Sequence, residues 1–363
     1  MASEAGDSTT GTPCACGSGT RTTRCTDCLQ SPLSCEQCFV REHKLLPFHW
    51  AEQWNGDFFV RKDYADLGGT ITLGHNGDAC KHAPSSTAID LTIVHTNGIH
   101  ESRVVFCKCS LHGDRLSQLT SHQLFPGSTD SPRQAFTFDL LKNFHLYSLA
   151  SKKSAYDYMN AIRRLTNNAF SKDAPNPYPA FLRIVRLWRL LTMMKRMGQA
   201  HGIDTVLTHR TPGNMAVQCP ACPEPGFNMD ERIEPLDKSI IRHTETIFLS
   251  LDGNFRLQRK KKNNDPDDIA LIKGAYFPDG QEYKDYLRKV GDNTPEVPTF
   301  HPALHLTSEC DFQKSTCAKL NAVNMQEKIK FKGMVCTGVV KCKCARHDFS
   351  LPKATANLQK GER

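Results

Sequence analysis

No apolar run in this chain approaches the ~20 residues needed to cross a bilayer, so a membrane-spanning helix is not expected. The opening stretch, MASEAGDSTTGTP, lacks the basic n-region and the apolar h-region of a secretory signal. The chain is therefore expected to stay inside the cell. There is no internal repeat of solenoid length, which excludes a repeat array. Positive charge is scarce at the start: residues 1–60 hold four Lys/Arg against seven Asp/Glu, a balance of −3. A phosphate-binding N-terminus is a poor expectation from that balance.

Cysteine and histidine are abundant instead. Sixteen cysteines and fifteen histidines occur in 363 residues. Thiols inside cells are kept reduced, so clustered cysteines beside histidines point to metal before disulfides. The apolar fraction of 39% and charged fraction of 23% indicate globular domains rather than a disordered chain. The net charge is +8, and residues 142–200 carry eleven Lys/Arg against two Asp/Glu. Basic excess confined to one segment suggests a surface that faces nucleic acid.

The composition divides the chain into five parts. Residues 1–13 are a small polar tail expected to be disordered. Residues 14–54 are a dense Cys/His module with too few apolar residues for a core of its own. Residues 55–130 are β-rich, with TITLG, TAIDLTIVHTNGIH and SRVVFCKC as short β-branched runs. Asn97-Gly98 is a hairpin signal between two of these runs. Residues 131–202 are helical, from AFTFDLLKNFHLYSLA through SAYDYMNAIRRLTNNAF to AFLRIVRLWRLLTMMKRMGQAHG, with Gly202 as a stop. Residues 203–363 are loop-rich, with further Cys/His groups. The fold class is α+β.

Zinc takes four soft or borderline ligands in a tetrahedron, and close pairs let one turn supply two of them. The N-terminal module offers Cys14 and Cys16, Cys25 and Cys28, Cys35 and Cys38, and His43 and His49. Eight ligands make two sites, with the first and third pairs on one metal and the second and fourth on the other. Four protein ligands leave no open position for water, so such zinc is structural, and its binding is coupled to folding. A module of this kind fits a protein partner. A RING is the rival reading, but its C-x-H step is missing.

A second group is His75, Cys80, His100, Cys107 and Cys109, in which His100 ends one hairpin strand and Cys107-Lys-Cys109 ends the other. Cys219 and Cys222 form a zinc-ribbon-like knuckle, though two ligands do not make a site. The last group is Cys310, Cys317, Cys336, Cys342, Cys344 and His347, expected to bind one zinc through an unspecified set of four. Arg183, Arg186, Arg189 and Arg196 fall on one broad helical face. Ile184, Val185, Leu187, Leu191 and Met194 lie largely opposite. The basic face is either a solvated surface or a phosphate-contacting one. Trp188 reads as core. Arg259 to Lys262 form a second basic patch.

TIFLSLDGNFRL, residues 246–257, delivers one carboxylate, Asp252, to a Gly-Asn pair. The residues allow a hairpin turn, since Asp-Gly is a common one. They equally allow a carboxylate held at a strand end for divalent metal.

Taken in order, LGH with Cys80, NGIH, CKC, QLFPGS, AFTFDLL, SAYDYMNAIRRLTN, CPACPEPGFN, LDGNFRL, CARH and LQKGER resemble the Kyakuja-Dileera-Zisupton (KDZ) transposases of fungi. The resemblance runs from about Cys25 to Arg363. The part before the helices looks like the CxC-like cysteine cluster associated with those transposases. The resemblance implies a cut-and-paste DNA transposase with an RNase H-like core, acidic residues and Mg or Mn, with zinc-binding segments around the core. DNA is then the partner and the nucleus the compartment. Asp252 matches the first catalytic aspartate. The family's chains continue beyond LQKGER and supply the later carboxylates. Asp265, Asp267 and Asp268 lie in a polar loop rather than at strand ends. The core is therefore expected to be incomplete, and the protein to be a zinc-structured DNA-binding remnant rather than an enzyme. An active transposase and a pure protein-interaction module are the alternatives.

Overall fold

The computed structural model describes residues 5–82, 87–109, 113–229, 245–255, 257–260, 269–290 and 333–358. These fall into two units, Met1–Arg189 and Leu190–Arg363.

In the first unit, strands β1 (Thr23–Cys25), β2 (Ala51–Trp54) and β3 (Phe59–Lys62) form an antiparallel sheet in the order β1-β2-β3. Helix α1 (Glu36–Glu42) packs Phe39 against Ala51, Tyr64 and Leu67. This core is as small as the composition requires, and it is lined by Cys25 and Cys28. The Cys/His module thus extends through β3 to Lys62 rather than ending at residue 54, because β3 completes its sheet.

A five-stranded mixed sheet follows, built from β4 (Ile71–Thr72), β5 (Ile89–His95), β6 (Gly98–Val105), β7 (Leu124–Pro126) and β8 (Gln134–Thr137) in the order β4-β6-β5-β8-β7. Alternation along the strands feeds two cores. Leu91, Ile93, Ala135 and Val104 meet Leu119 of helix α2 (Arg115–Ser121) on one face. Val94 and Phe136 meet helices α3 (Phe138–Ala150), α4 (Ala155–Thr166) and α5 (Tyr178–Arg196) on the other. The run QAFT, read above as the start of a helix, is strand β8, paired parallel with β5. Its alternation is too short to be told from a helical start. The helical segment therefore begins at Phe138, where Thr137 caps α3 by accepting from Leu140 N.

The β5–β6 hairpin pairs His95 with Gly98, so its two loop residues are Thr96 and Asn97 and the turn sits one residue earlier than the Asn-Gly signal implied. Gly98 has φ of 152°, and a Cβ there would lie 2.7 Å from Trp50 Cζ2. Only glycine fits. Helix α5 ends at Arg196, before Gly198 in the left-handed conformation, rather than running to Gly202.

In the second unit, helix α6 (Ile203–Val206) precedes the Cys219 loop. Strands β9 (Leu249–Asn254), β12 (Gly338–Cys344) and β13 (Ser350–Leu358) form an antiparallel sheet in the order β13-β12-β9. Strands β10 (Arg259–Lys260) and β11 (Met334–Cys336) pair separately, and helix α7 (Gly280–Val290) sends Tyr283 Oη to Asn357 O. No helix among the described residues is long and apolar enough to cross a membrane.

Candidate metal centres and the Asp252 strand

Four Cys/His quartets each bring their ligand atoms within 4.8 Å of one another. A tetrahedral zinc with bonds of about 2.3 Å to sulfur and 2.05 Å to nitrogen sets sulfurs about 3.8 Å apart and sulfur and nitrogen about 3.5 Å apart. The quartets fall in that range. Every described cysteine is a free thiol, so the disulfide reading has no support in the described residues.

The first quartet is Cys14, Cys16, Cys35 and Cys38, with Cys14–Cys38 at 4.0 Å and Cys16–Cys35 at 3.5 Å. The turn at Gly17 (φ 75°) closes on Cys14 O, and Ser18 N donates to Cys16 Sγ. That amide holds the Cys16 thiol down to about 6, which favours the thiolate a metal needs. Cys35 caps α1 and Cys38 lies on it, so the helix sets the spacing of the second pair.

The second quartet is Cys25, Cys28, His43 and His49. Cys28 Sγ lies 3.5 Å from His43 Nε2 and 3.4 Å from His49 Nδ1. His43 ends α1 and donates from Nδ1 to Phe39 O at 3.1 Å, which leaves Nε2 as the ligand atom. The pairs alternate along the chain, first with third and second with fourth.

The third quartet is His75, Cys80, Cys107 and Cys109. Strand β4 runs parallel to β6. Chain leaving both strands therefore emerges at one end of the sheet, and that geometry brings the two halves together. His75 Nε2 lies 3.2 Å from Cys107 Sγ and 3.4 Å from Cys109 Sγ. Burial works against ionisation of Cys80, but hydrogen bonds from Cys109 and His75 hold it down to about 5. Buried Gln118 accepts from Cys107 N and donates to Cys107 O, bracing the strand end.

His100 is not in this quartet. It is paired with Ile93, away from the end of the sheet that holds the sulfurs. It is 1% exposed. Its Nδ1 lies 3.2 Å from Asp63 Oδ1 and its Nε2 2.9 Å from Asn97 Oδ1, with Trp50 stacked on it at 4.1 Å. Its role is to join the small sheet to the hairpin. Trp50 Nε1 donates to Asn97 O and Asn97 Nδ2 to Phe48 O in the same joint.

The fourth quartet joins what the sequence separated: Cys219, Cys222, Cys344 and His347. The Cys219–Cys222 knuckle is therefore half of a site. Cys336 is buried outside it and Cys342 half-buried outside it, while Cys310 and Cys317 lie outside the described residues. The alternative partners were indistinguishable by spacing, because the halves are more than 120 residues apart in sequence.

Asp252 lies within β9, directly opposite Lys341 of β12. Asp252 and Gly253 continue the strand and make no turn, so the hairpin reading is overturned. The outgoing run finds its partner in β11 instead. Ser250, Asp252 and Asn254 share a face with Lys341 and Lys343. Leu249 and Leu251 share the other face with Cys342 and Cys344. Asp252 belongs to no cluster of three or more acidic, His or Cys groups among the described residues. One exposed carboxylate facing a lysine does not make a two-metal site. Asp265, Asp267 and Asp268, with Lys261 and Lys262 of the second basic patch, lie outside the described residues.

On α5, Ile184 and Val185 are buried with Phe181, and Trp188 packs edge-on against Phe125 and Phe138. Leu187 and Leu191, read as inward-facing, are 37% and 49% exposed. The helix is buried near its start; Leu191, seven residues after Ile184 and on nearly the same face, is exposed because the buried stripe ends before it. Arg183 and Arg196 are exposed and Arg186 half-buried. Arg189 donates to Ser148 Oγ and lies 5.9 Å from the Phe144 ring centre. Partial burial lowers its pKa.

Comparison with family models gives two matches. The model described as a CxC2-like cysteine cluster associated with KDZ transposases matches residues 64–170. The model of the Kyakuja-Dileera-Zisupton transposase matches residues 245–363. No curated protein and no solved structure matches the chain.

Proposed function

This chain belongs to the KDZ transposase family, and on that premise we propose that it is a transposase-derived, DNA-binding protein whose fold is held by structural zinc. The observation that carries the reading is the set of four closed quartets, distributed around and within the two family segments. Each supplies four ligands and no vacancy for water, so the metal is architectural. The β9-β12-β13 sheet fits the opening of an RNase H-like core, with Asp252 on its first strand. Since the described residues around Asp252 do not make a Mg or Mn site, the described part alone is catalytically incomplete.

The DNA-facing element is α5, through Arg183, Arg186 and Arg196, with a smaller share from Arg189. The compartment that fits is the nucleus. The test is duplex binding at graded salt. Each phosphate contact contributes about 0.9 to the slope of log K against log salt. Replacing Arg183, Arg186 and Arg196 by Ala is expected to weaken binding and reduce the slope by about 2–3. An unchanged slope sinks the α5 assignment, and salt-independent or absent binding sinks the DNA reading.

A second reading, a metal-dependent transposase, is favoured by one feature: Asp252 stands on the polar face of its sheet beside Ser250 and Asn254. Metal-dependent strand nicking lost in Asp252→Ala would establish it. The N-terminal module, with four Lys/Arg against four Asp/Glu over residues 14–54 and with Leu29 fully exposed, fits a protein partner better than DNA.

A further inference from the structure

The Cys219–Cys222 knuckle precedes the matched family segment, and Cys344 and His347 lie deep inside it. Cys219 Sγ is 3.4 Å from His347 Nδ1, Cys222 Sγ is 3.3 Å from Cys344 Sγ, and Cys344 Sγ is 3.6 Å from His347 Nδ1. The knuckle loop is itself braced. Asn228 Nδ2 donates to Pro220 O and Cys222 O, and Glu224 accepts two bonds from Arg210 and one from His209. A rigid loop thus grips a strand end.

The gripped strand is the one that faces Asp252. Strand β12 pairs Cys344 with Leu249, Cys342 with Leu251 and Lys341 with Asp252. A slip of one residue would send Lys341 and Lys343 to the apolar face and Cys342 and Cys344 to the polar one. It would also pull Cys344 out of the quartet. Ligand position and strand register therefore fix each other. On the other flank, β13 pairs in regular register with Gly338 to Lys341, and the register shifts between Lys341 and Lys343, so the Cys342–Cys344 end of β12 does not share that regular pairing.

We propose that Cys219, Cys222, Cys344 and His347 bind one zinc as a staple that fixes the register of β12 against β9 and so sets Lys341 opposite Asp252. Val217 N donates to Tyr276 Oη and Thr355 N of β13 to Tyr276 O, so the knuckle loop otherwise reaches the sheet indirectly, and the ion would link it to the β12 end itself. The inference stands on the geometry of the second unit and does not require DNA binding.

The test uses the full chain loaded with zinc. Native mass spectrometry counts the metals, and hydrogen exchange reads the peptides over residues 249–254 and 338–344. The described residues of the wild type offer four sites, and the Cys219→Ser, Cys222→Ser variant is expected to hold one ion fewer than the wild type, with at least tenfold faster exchange in both strands. The control variant Cys107→Ser, Cys109→Ser is expected to lose its own ion without that acceleration. An undiminished ion count in the Cys219/Cys222 variant overturns the site, and one ion fewer with unchanged exchange overturns the staple. His347→Cys keeps the proposal testable if the serine variant does not fold. Cadmium NMR of the wild type is expected to show one all-sulfur, two three-sulfur and one two-sulfur signal, following the four donor sets. In His347→Cys one three-sulfur signal should become all-sulfur, and an unchanged spectrum overturns the assignment.

Discussion

Lys341 stands directly across the β9–β12 pair from Asp252. An exposed cross-strand pair of opposite charge contributes roughly 0.2–1 kcal/mol. Asp252→Ala is therefore expected to lower stability by less than about 1 kcal/mol in a denaturant titration. That small cost makes the variant a clean probe of chemistry. Any nicking it abolishes is lost through the carboxylate and not through unfolding.

Chelation is expected to unfold the N-terminal module outright. Its apolar core is a handful of side chains around Phe39, too few to hold it without metal. Circular dichroism and protease sensitivity of residues 14–62 should change together on adding a strong zinc chelator and recover on adding zinc. A module that stays protease-resistant when metal-free contradicts this.

His100→Ala should be costly for a different reason. It leaves the Asp63 carboxylate and the Asn97 carbonyl without their buried partner and removes the ring under Trp50. The expected loss is about 2–4 kcal/mol. The zinc count should stay at the wild-type value, which separates this residue from the ligands it resembles in sequence.

Acid should destabilise the first unit partly through His95. Burial, helped by the charge of nearby His100, pushes its pKa from the usual 6.5 down to about 4. The folded state thus binds fewer protons than the unfolded state between those values. Stability is fully present above about pH 6.5 and falls as pH drops toward 4. Thr137 Oγ1, 2.9 Å from His95 Nδ1, caps α3 at the same time. The His95→Gln variant should show a flatter stability–pH curve than the wild type over that window. Equal slopes would count against the buried neutral ring.

The spacing of close pairs made three quartets largely legible, since turns and short strands deliver both members of a pair to one place. The amphipathic start of α5 was legible for the same local reason. Long-range relations were not. Nothing near Cys219 announces His347, because that contact is made by sheet register. His100 carries the right residue type on the right hairpin, but it stands at the turn end of β6, whereas Cys107 and Cys109 follow the far end of that strand. Asp252-Gly253 has the composition of a turn, and β12 overrides it by offering a partner strand to both residues. QAFT was hidden because an apolar run that enters a helix has no period of its own.

The alternating pairs of the N-terminal module have a topological consequence. A backbone cut between Cys28 and Cys35 leaves Cys14, Cys16, Cys25 and Cys28 on one fragment and Cys35, Cys38, His43 and His49 on the other. Each fragment then owns half of both metal sites and a whole of neither. Loaded with metal, the severed chain remains a single particle tied at two points. Stripped of metal, it is left with the β1–β2 pairing and the small core around Phe39, so zinc bound here would act as rivets between chain halves rather than as ornaments of one loop.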